Sequence, residues 1–258
     1  VLGLDAKNPS IVLESADMAL TVEELLTGTL SFNGQRCTAI KMIFVHKSRA
    51  DELLHRLSEG IAKLSIGMPF AERVRITPLP VPGKAGYLTG LVDDAAAHGA
   101  KVINAGGGLA VKSLFYPAVL YPVNKDMRAY HEEQFGPLLP VAPFDDESAA
   151  IDYLVNSQYG QQMSLFGSDP GQMARLIDPM VNQVCRVNIN SQCQRGPDTF
   201  PFTGRKDSAE GTLSVTDALR CFSIRTLVAA KGSATNKDLL THIIRGRKSN
   251  FLSTDFIF

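Results

Sequence analysis

The chain has no excess charge of either sign, no long apolar run and few cysteines. Its 26 basic and 26 acidic side chains cancel, so no overall field favours nucleic acid or an anionic membrane as a partner. No apolar run reaches the roughly 18 residues of a transmembrane helix. No charged segment followed by an apolar stretch opens the chain, so the sequence predicts no signal peptide.

The four cysteines lie far apart, without a CxxC pair or a His/Cys cluster. The sequence therefore predicts no metal site and no disulfide scaffold, and a reducing compartment, the cytoplasm, is expected. The five histidines indicate no Cys–His hydrolase. The fingerprint G-x-G-x-x-G is also missing, so no nucleotide-binding fold is predicted within this chain.

Helical and strand patterns alternate along the 258 residues, which predicts an α/β fold with a largely parallel sheet flanked by helices. Ser48 and Asp51 resemble a capping box ahead of the second helix, and the glycines at 106–108 are expected to form a flexible turn. Helices are predicted at 17–30, 53–64, 84–98, 146–156 and 169–177, and strands at 40–45, 101–104, 116–123, 163–166 and 184–190.

The last part of the chain has a different character. Residues 222–230 form a β-like run rich in Ile, Leu and Val, which alone is typical of an ordinary edge strand. Residues 234–258 are polar and basic, and we expect partial order there at most, with an apolar tip.

One cysteine, Cys37, lies in a polar, glycine-containing loop at 31–39, between two apolar segments. A cysteine reacts as its thiolate, which an adjacent cation such as Arg36 favours. Donors that could stabilise charge on a bound carbonyl lie in the same loop: Asn33, Gln35 and the N–H groups around Gly34. The alternative is a buried cysteine that packs as a small hydrophobe. The loop favours a nucleophile.

Four motifs, in this order and approximate spacing, resemble the aldehyde dehydrogenase superfamily. They are KNPSIVL with ADM near the start, SFNGQRCTA at 31–39, EEQFGP at 132–137, and NIN at 188–190 with FPFTGRKDS at 200–208. The resemblance implies a catalytic domain over 1–213, an oligomerisation segment over 214–233 and a partly ordered tail over 234–258. The run 222–230 would join a neighbouring subunit in a homo-oligomer. The first residue is Val1 rather than Met, and we expect a fragment whose N-terminal cofactor domain is absent.

The resemblance also implies a reaction. The Cys37 thiolate would attack an aldehyde to form a thiohemiacetal, hydride would pass to NADP or NAD, and water would release the acid from a thioester. Glu133 matches the glutamate that holds the nicotinamide ribose, and Phe135 matches a nearby cofactor contact. The alternative for Glu133 is a solvated acidic pair with Glu132.

Within the superfamily, residues 34–39, 194–198 and 200–202 most resemble the non-phosphorylating glyceraldehyde-3-phosphate dehydrogenases. This narrower likeness implies glyceraldehyde 3-phosphate as the substrate and assigns its phosphate to Arg36 and Arg195. Guanidinium groups suit phosphate because they donate paired hydrogen bonds. Surface ion pairs are the alternative for both arginines.

One feature departs from the superfamily. Its members usually have a glutamate, the general base, four residues before the lysine matched by Lys7. Gly3 stands there, or Val1 or Leu2 if a gap is allowed, and Asp5 is expected to be a turn residue. Three possibilities stay open: another base, a thiol acceptor such as coenzyme A, or a catalytically weak homologue that serves as a subunit or binding protein.

Overall fold

The computed structural model describes residues 2–224 and 226–252. The chain divides into two compact units, one ending at Leu219 and the other beginning at Arg220. The apolar tip predicted for the tail lies outside the described residues.

The first unit contains all the described strands. The strands are β1 (Leu2–Gly3), β2 (Pro9–Val12), β3 (Met42–His46), β4 (Lys101–Val102), β5 (Ala110–Val111), β6 (Leu114–Phe115), β7 (Ala118–Tyr121), β8 (Leu138–Phe144), β9 (Tyr159–Gly160), β10 (Gln162–Phe166), β11 (Arg186–Ile189), β12 (Arg205–Lys206) and β13 (Ala209–Glu210). The helices are α1 (Met18–Leu30), α2 (Lys47–Ala62), α3 (Lys84–Ala97), α4 (Arg128–His131), α5 (Ser148–Asn156), α6 (Pro170–Met180), α7 (Val215–Cys221) and α8 (Ala234–Arg245).

Seven strands form the central sheet in the order β11-β10-β2-β3-β8-β7-β4. All neighbouring pairs are parallel except β4 and β7, which are antiparallel. The other strands form three two-stranded pairs: β1 with β13, β5 with β6, and β9 with β12. The α/β fold with a largely parallel sheet, predicted from the sequence, is confirmed.

Both faces of the sheet are buried, because side chains on a strand alternate between faces and helices cover each side. On β2 and β3, Ile11, Met42 and Phe44 belong to one apolar cluster, whereas Val12, Ile43 and Val45 belong to the other. All six side chains are at most 3% exposed. The sheet is therefore a rigid support for the loops at its edges.

Capping residues place several helix ends close to their predicted positions. The Asp17 side chain accepts from Ala19 N and Leu20 N, so α1 begins at Met18. Asp169 caps α6, which continues to Met180 and so runs three residues beyond its predicted end. The predicted cap at Ser48 is wrong. Helix α2 begins at Lys47 and His46 is its cap.

Some elements differ from the prediction. Strand β8 and the short helix α4 are missing from the sequence-based expectations. The β-like run at 222–230 contains no strand in its described residues, 222–224 and 226–230, since an extended segment needs a neighbouring strand to bond to. Its role in oligomerisation stays a prediction. Ser233, directly before the tail, caps helix α8. The partial order expected for the tail stays a prediction.

Candidate active site

The predicted nucleophile and cofactor residues meet at the amino ends of the central parallel strands. Asn8 precedes β2, Lys41 precedes β3, and Gln134 lies shortly before β8. Ligands of open α/β sheets usually bind at the opposite, carboxyl edge. Here the amino edge is where polar side chains satisfy the first backbone groups of the strands.

The turn that carries Cys37 follows α1 through a short 3₁₀ segment, Ser31–Gly34. Gly34 has a φ of 68°, and an added Cβ would lie 2.6 Å from Thr29 O and 2.7 Å from Gly136 O. Only glycine fits this position without strain. The close approach places the Cys37 turn directly against the loop that contains Phe135.

The Cys37 side chain is exposed, so the alternative of a cysteine packed in the core is wrong. The backbone carbonyl oxygen of Cys37 accepts hydrogen bonds from Asn8 Nδ2 at 2.8 Å and from Lys41 Nζ at 3.1 Å. Asn8 Nδ2 also lies 3.1 Å from Ala39 O. Two buried side chains therefore fix the backbone at Cys37 while the thiol remains accessible.

Asn33 does not have the role suggested by its sequence position. Its Nδ2 donates to Thr77 Oγ1 at 2.9 Å, and its Oδ1 accepts from Thr77 N at 3.0 Å. An amide engaged through both its donor and its acceptor end holds the loop in place, so it is not directed at a substrate carbonyl.

The Glu133 carboxylate is held through one oxygen. Glu133 Oε1 lies 2.7 Å from Lys41 Nζ and accepts from Ala6 N at 3.1 Å. The side chain retains 12% of its exposure. Lys41 Nζ also lies 5.5 Å from the centre of the Phe135 ring. The alternative of a solvated Glu132–Glu133 pair is wrong, because Glu132 pairs with Arg128 instead.

Lys41 therefore joins the two parts of the predicted site. The sequence interpretation placed this residue in an apolar strand and assigned it no role. A lysine inside the run Ile40–Met42 is itself a signal, because lysine is rarely buried without a partner. Burial lowers the pKa of Lys41, and the nearby Glu133 carboxylate opposes that shift.

A second buried lysine supports the same loop. Lys7 Nζ donates to Glu132 O at 2.6 Å and to Gln134 Oε1 at 2.7 Å. Gln134 in turn donates to Lys41 O and Leu138 O, both at 2.9 Å. Burial, and next the Lys41 charge, lower the pKa of Lys7 well below its usual value. The contacts of Lys7 are structural.

Arg36 is turned towards the protein. Its Nη2 donates to Gly28 O at 3.2 Å, to Gln192 Oε1 at 3.3 Å and to Thr27 O at 3.4 Å. Burial lowers its pKa. Its Nε is buried without a hydrogen-bond partner among the residues that the structure describes. These contacts tie the Cys37 turn to the end of α1, and the surface ion pair considered for Arg36 does not account for them.

Arg195 lies on the loop after β11 and is exposed. Its guanidinium carbon lies 5.1 Å from the centre of the Phe202 ring, and Nη2 lies 3.4 Å from Leu213 O. The preceding carbonyl, Gln194 O, accepts from Gln162 Nε2 at 3.0 Å. The loop backbone is therefore fixed, whereas the Arg195 head group faces solvent.

Within residues 2–224 and 226–252, no three or more His, Cys, Asp and Glu side chains are grouped so that they could hold a metal ion. No helix in the same ranges has the length and apolar character needed to cross a membrane. The remaining cysteine near the site is Cys193, which is buried, and its burial raises the pKa of its thiol to about 11.

The site thus consists of a turn with an exposed cysteine that packs against the loop at 132–137, at the amino edge of a parallel sheet. A comparison with known families agrees with this arrangement. The model of the aldehyde dehydrogenase family matches residues 1–228, and the chain belongs to that family.

Among its relatives, the NADP-dependent glyceraldehyde-3-phosphate dehydrogenase of Apium graveolens is 37% identical over 226 residues, which are 87% of this chain and 45% of the relative. The enzyme of that name from Streptococcus equinus is 34% identical over 236 residues, 90% of this chain and 47% of the relative. The chain thus spans about half the length of the curated relatives it matches.

Two solved structures are similar to the chain. One is the NADP-dependent glyceraldehyde-3-phosphate dehydrogenase of Bacillus halodurans complexed with NADP. It has a TM-score of 0.80 and 38% identity over 84% of this chain and 45% of that chain. The other is a salicylaldehyde dehydrogenase of Pseudomonas putida complexed with salicylaldehyde. It has a TM-score of 0.81 and 30% identity over 90% of this chain and 48% of that chain.

Proposed function

We propose that the protein containing this chain oxidises an aldehyde, glyceraldehyde 3-phosphate or a similar phosphorylated aldehyde, to its acid with NADP or NAD. The observation that carries the proposal is the position of Lys41, whose ammonium contacts both the Cys37 carbonyl and the Glu133 carboxylate. This contact supports a site in which the segment with an accessible thiol adjoins the segment with a carboxylate suited to a ribose. The names of the NADP-dependent relatives support the choice of cofactor and aldehyde.

The residues fit a nicotinamide nucleotide. A carboxylate anchored through one oxygen, as Glu133 is by Lys41 and Ala6 N, can present its other oxygen to ribose hydroxyls. Phe135 lies in the same loop and offers an apolar contact. When bound, the nicotinamide group accepts the hydride that leaves the aldehyde carbon.

Cys37 supplies the covalent chemistry. Its thiolate adds to the aldehyde carbon, and the negative charge that develops on the oxygen needs N–H donors at the turn. The contacts of Asn8 and Lys41 to the Cys37 carbonyl hold the peptide in one orientation during this step. Loss of hydride then leaves a thioester on Cys37, which an acceptor must cleave.

The molecule that accepts the acyl group from the thioester distinguishes a second candidate function from the first. Gly3, at the position of the family's general base, lies in β1 and has no side chain to activate water. Asp5 is exposed on the same segment. A thiol such as coenzyme A needs less activation than water, because a thiol is partly ionised near neutral pH. This observation favours an acyl-transferring variant of the same reaction.

The experiment compares acceptors. Purified full-length protein is mixed with glyceraldehyde 3-phosphate and NADP, with and without coenzyme A, and the reduced nucleotide is followed together with the acid and thioester products. Turnover without the thiol supports hydrolysis, and turnover that requires it supports acyl transfer. If reduced nucleotide does not form under either condition, the enzyme proposal is wrong and a subunit or binding role stands.

A homo-oligomer is part of the proposal. In the run that follows α7, Phe222, Ile224 and Leu227 each remain at least 85% exposed. Apolar side chains of this size favour burial against another chain. We expect Leu227→Asp to lower the molar mass found by light scattering. A single-subunit mass for the unmodified protein contradicts the expectation.

A further inference from the structure

The Lys41 ammonium contacts several residues of the proposed site, and no sequence motif predicts these contacts. Its Nζ lies 2.7 Å from Glu133 Oε1, 3.1 Å from Cys37 O and 5.5 Å from the centre of the Phe135 ring. These three partners are the proposed nucleophile and the two proposed cofactor contacts. One ammonium group therefore touches both functional segments.

The backbone of Lys41 is fixed as firmly as its side chain. Its N–H donates to Asn8 O at 2.8 Å, and its carbonyl accepts from Gln134 Nε2 at 2.9 Å. The residue directly precedes β3, which lies inside the central sheet between β2 and β8. The ammonium is thus held from a rigid element, and it cannot follow a moving loop.

Burial of the Lys41 ammonium costs free energy, and packing alone does not offset that cost. Lys41 is 1% exposed, and a buried ion pair is often no more stabilising than well-packed apolar residues of the same volume. Its ammonium nevertheless lies where it contacts both the Cys37 carbonyl and the Glu133 carboxylate. A role in fixing the geometry of the site explains this arrangement better than a contribution to the stability of the fold.

We propose that Lys41 is a positioning residue: its ammonium fixes the Glu133 carboxylate and the Cys37 turn relative to each other, so that bound nucleotide and thiol meet at one aldehyde carbon. The inference rests on the proposed function. Misplacement of reacting groups by about 1 Å can reduce a rate by about 100-fold, so the expected loss is large. Lys41 acts through Glu133 and Cys37, and no contact with the substrate is required.

The test replaces Lys41 in the full-length protein by Met, which keeps most of the length of the side chain and removes the charge. We expect kcat/KM for NADP to fall by about 10- to 100-fold. The rate of Cys37 alkylation by iodoacetamide at a fixed pH, measured by peptide mass spectrometry, should also differ from that of the unmodified protein, because the carbonyl of the Cys37 turn loses its contact with the ammonium. Lys41→Gln, which keeps a hydrogen-bond donor, is measured in parallel in case Lys41→Met does not fold.

Lys7→Met is the matched control, because Lys7 is another buried lysine in the same region that contacts Glu132 O and Gln134 instead. It should lower the free energy of unfolding yet leave the rate of Cys37 alkylation at that pH unchanged. Glu133→Gln completes a double-mutant cycle: the effect of removing Lys41 on kcat/KM should shrink in the Glu133→Gln background.

The two proposals fail differently. An unmodified protein that reduces no NADP rejects the proposed function, whereas the rate of Cys37 alkylation still reports whether Lys41 holds the Cys37 turn. If the unmodified protein is active and the Lys41 variants match Lys7→Met in nucleotide KM, kcat and Cys37 alkylation, Lys41 is only a structural ion pair and the inference is wrong.

Discussion

Two parts of the proposed active site, the turn with Cys37 and the loop with Arg195, are held in opposite ways. Asn8 and Lys41, both 1% exposed, fix the carbonyl of Cys37 from within the protein. Arg195 is exposed, and its guanidinium carbon lies 5.1 Å from the centre of the ring of the buried Phe202. One part is built into the sheet edge, and the other has a fixed backbone and an exposed head group.

This difference predicts separate roles for the two parts. The Cys37 turn should serve the reaction itself, and the Arg195 loop should serve the selection among substrates. A buried polar network whose donors and acceptors are paired defines one geometry, because any other leaves polar groups unsatisfied. An exposed arginine can adopt many rotamers, and reorienting it disturbs few contacts. Changes at the turn should therefore affect every substrate, whereas changes at Arg195 should affect the choice among substrates.

The largest expected effect is at the turn. Cys37→Ala removes the sulfur at the proposed reacting position, and we expect aldehyde oxidation to fall by more than about 1,000-fold. The fold should persist, because the exposed thiol has little packing to lose and Asn8 and Lys41 bond to the backbone carbonyl. Reduced nucleotide is measured, together with the circular dichroism spectrum.

Cys221→Ala is the control, since Cys221 is also exposed but lies in α7, in a different part of the chain. It should keep full activity. Oxidation by Cys37→Ala within tenfold of the unmodified rate would remove Cys37 as the nucleophile and, with it, the distinction between the two parts of the site.

The fold could be predicted wherever local signals were strong. Asp17 and Asp169 mark two helix starts, and the alternation of patterns indicates a parallel sheet. Strand β8 was not predictable in this way because Pro140 and Pro143 lack the N–H of a strand residue, which normally excludes interior strands. The sheet accommodates both, with Pro143 opposite Val45 of β3. Packing on both faces decided this element, and no local pattern records such packing.

The candidate site was partly predictable for the same reason. The turn around Cys37 and the acidic loop are contiguous motifs, so their chemistry can be read from neighbours in sequence. Lys41 gains its role from Glu133, 92 residues away, and from a backbone carbonyl. A backbone carbonyl carries no sequence signature. The inward direction of Arg36 depends likewise on the end of α1 and on Gln192.

The two arginines provide the next test of the comparison. Arg195→Ala should raise KM for phosphorylated aldehydes by about tenfold, because a charge-assisted hydrogen bond to phosphate is lost, and should leave unphosphorylated aldehydes almost unaffected. Arg36→Ala should reduce turnover of both classes alike, since its guanidinium holds the Cys37 turn to the carbonyls of Thr27 and Gly28. Steady-state kinetics with a matched pair of aldehydes measures both.

Thermal unfolding supplies the control for this pair. Arg36→Ala should lower the melting temperature and Arg195→Ala should not, because only Arg36 satisfies carbonyls at a helix end. If Arg195→Ala lowers activity equally on both aldehydes, Arg195 does not select phosphate. If Arg36→Ala acts on the phosphorylated substrate alone, the inward contacts of Arg36 are not its main role.

The smallest effect concerns the pH dependence of stability, which should arise on the buried side. Because burial lowers the pKa of Lys7 from its usual 10.5, the unfolded chain binds more protons than the native one between the two values. The free energy of unfolding should therefore rise with pH in that window, by no more than the one-proton limit of about 1.4 kcal/mol per pH unit. Below the native pKa the penalty for a buried ammonium is complete.

Urea unfolding at several pH values above neutrality should show this rise in the unmodified protein and a smaller one in Lys7→Met. Lys47→Met, at an exposed ion pair with Asp145, should follow the unmodified protein. Parallel curves for all three proteins would mean that Lys7 keeps its charge on folding, and the buried side of the site would then be better solvated than its contacts indicate.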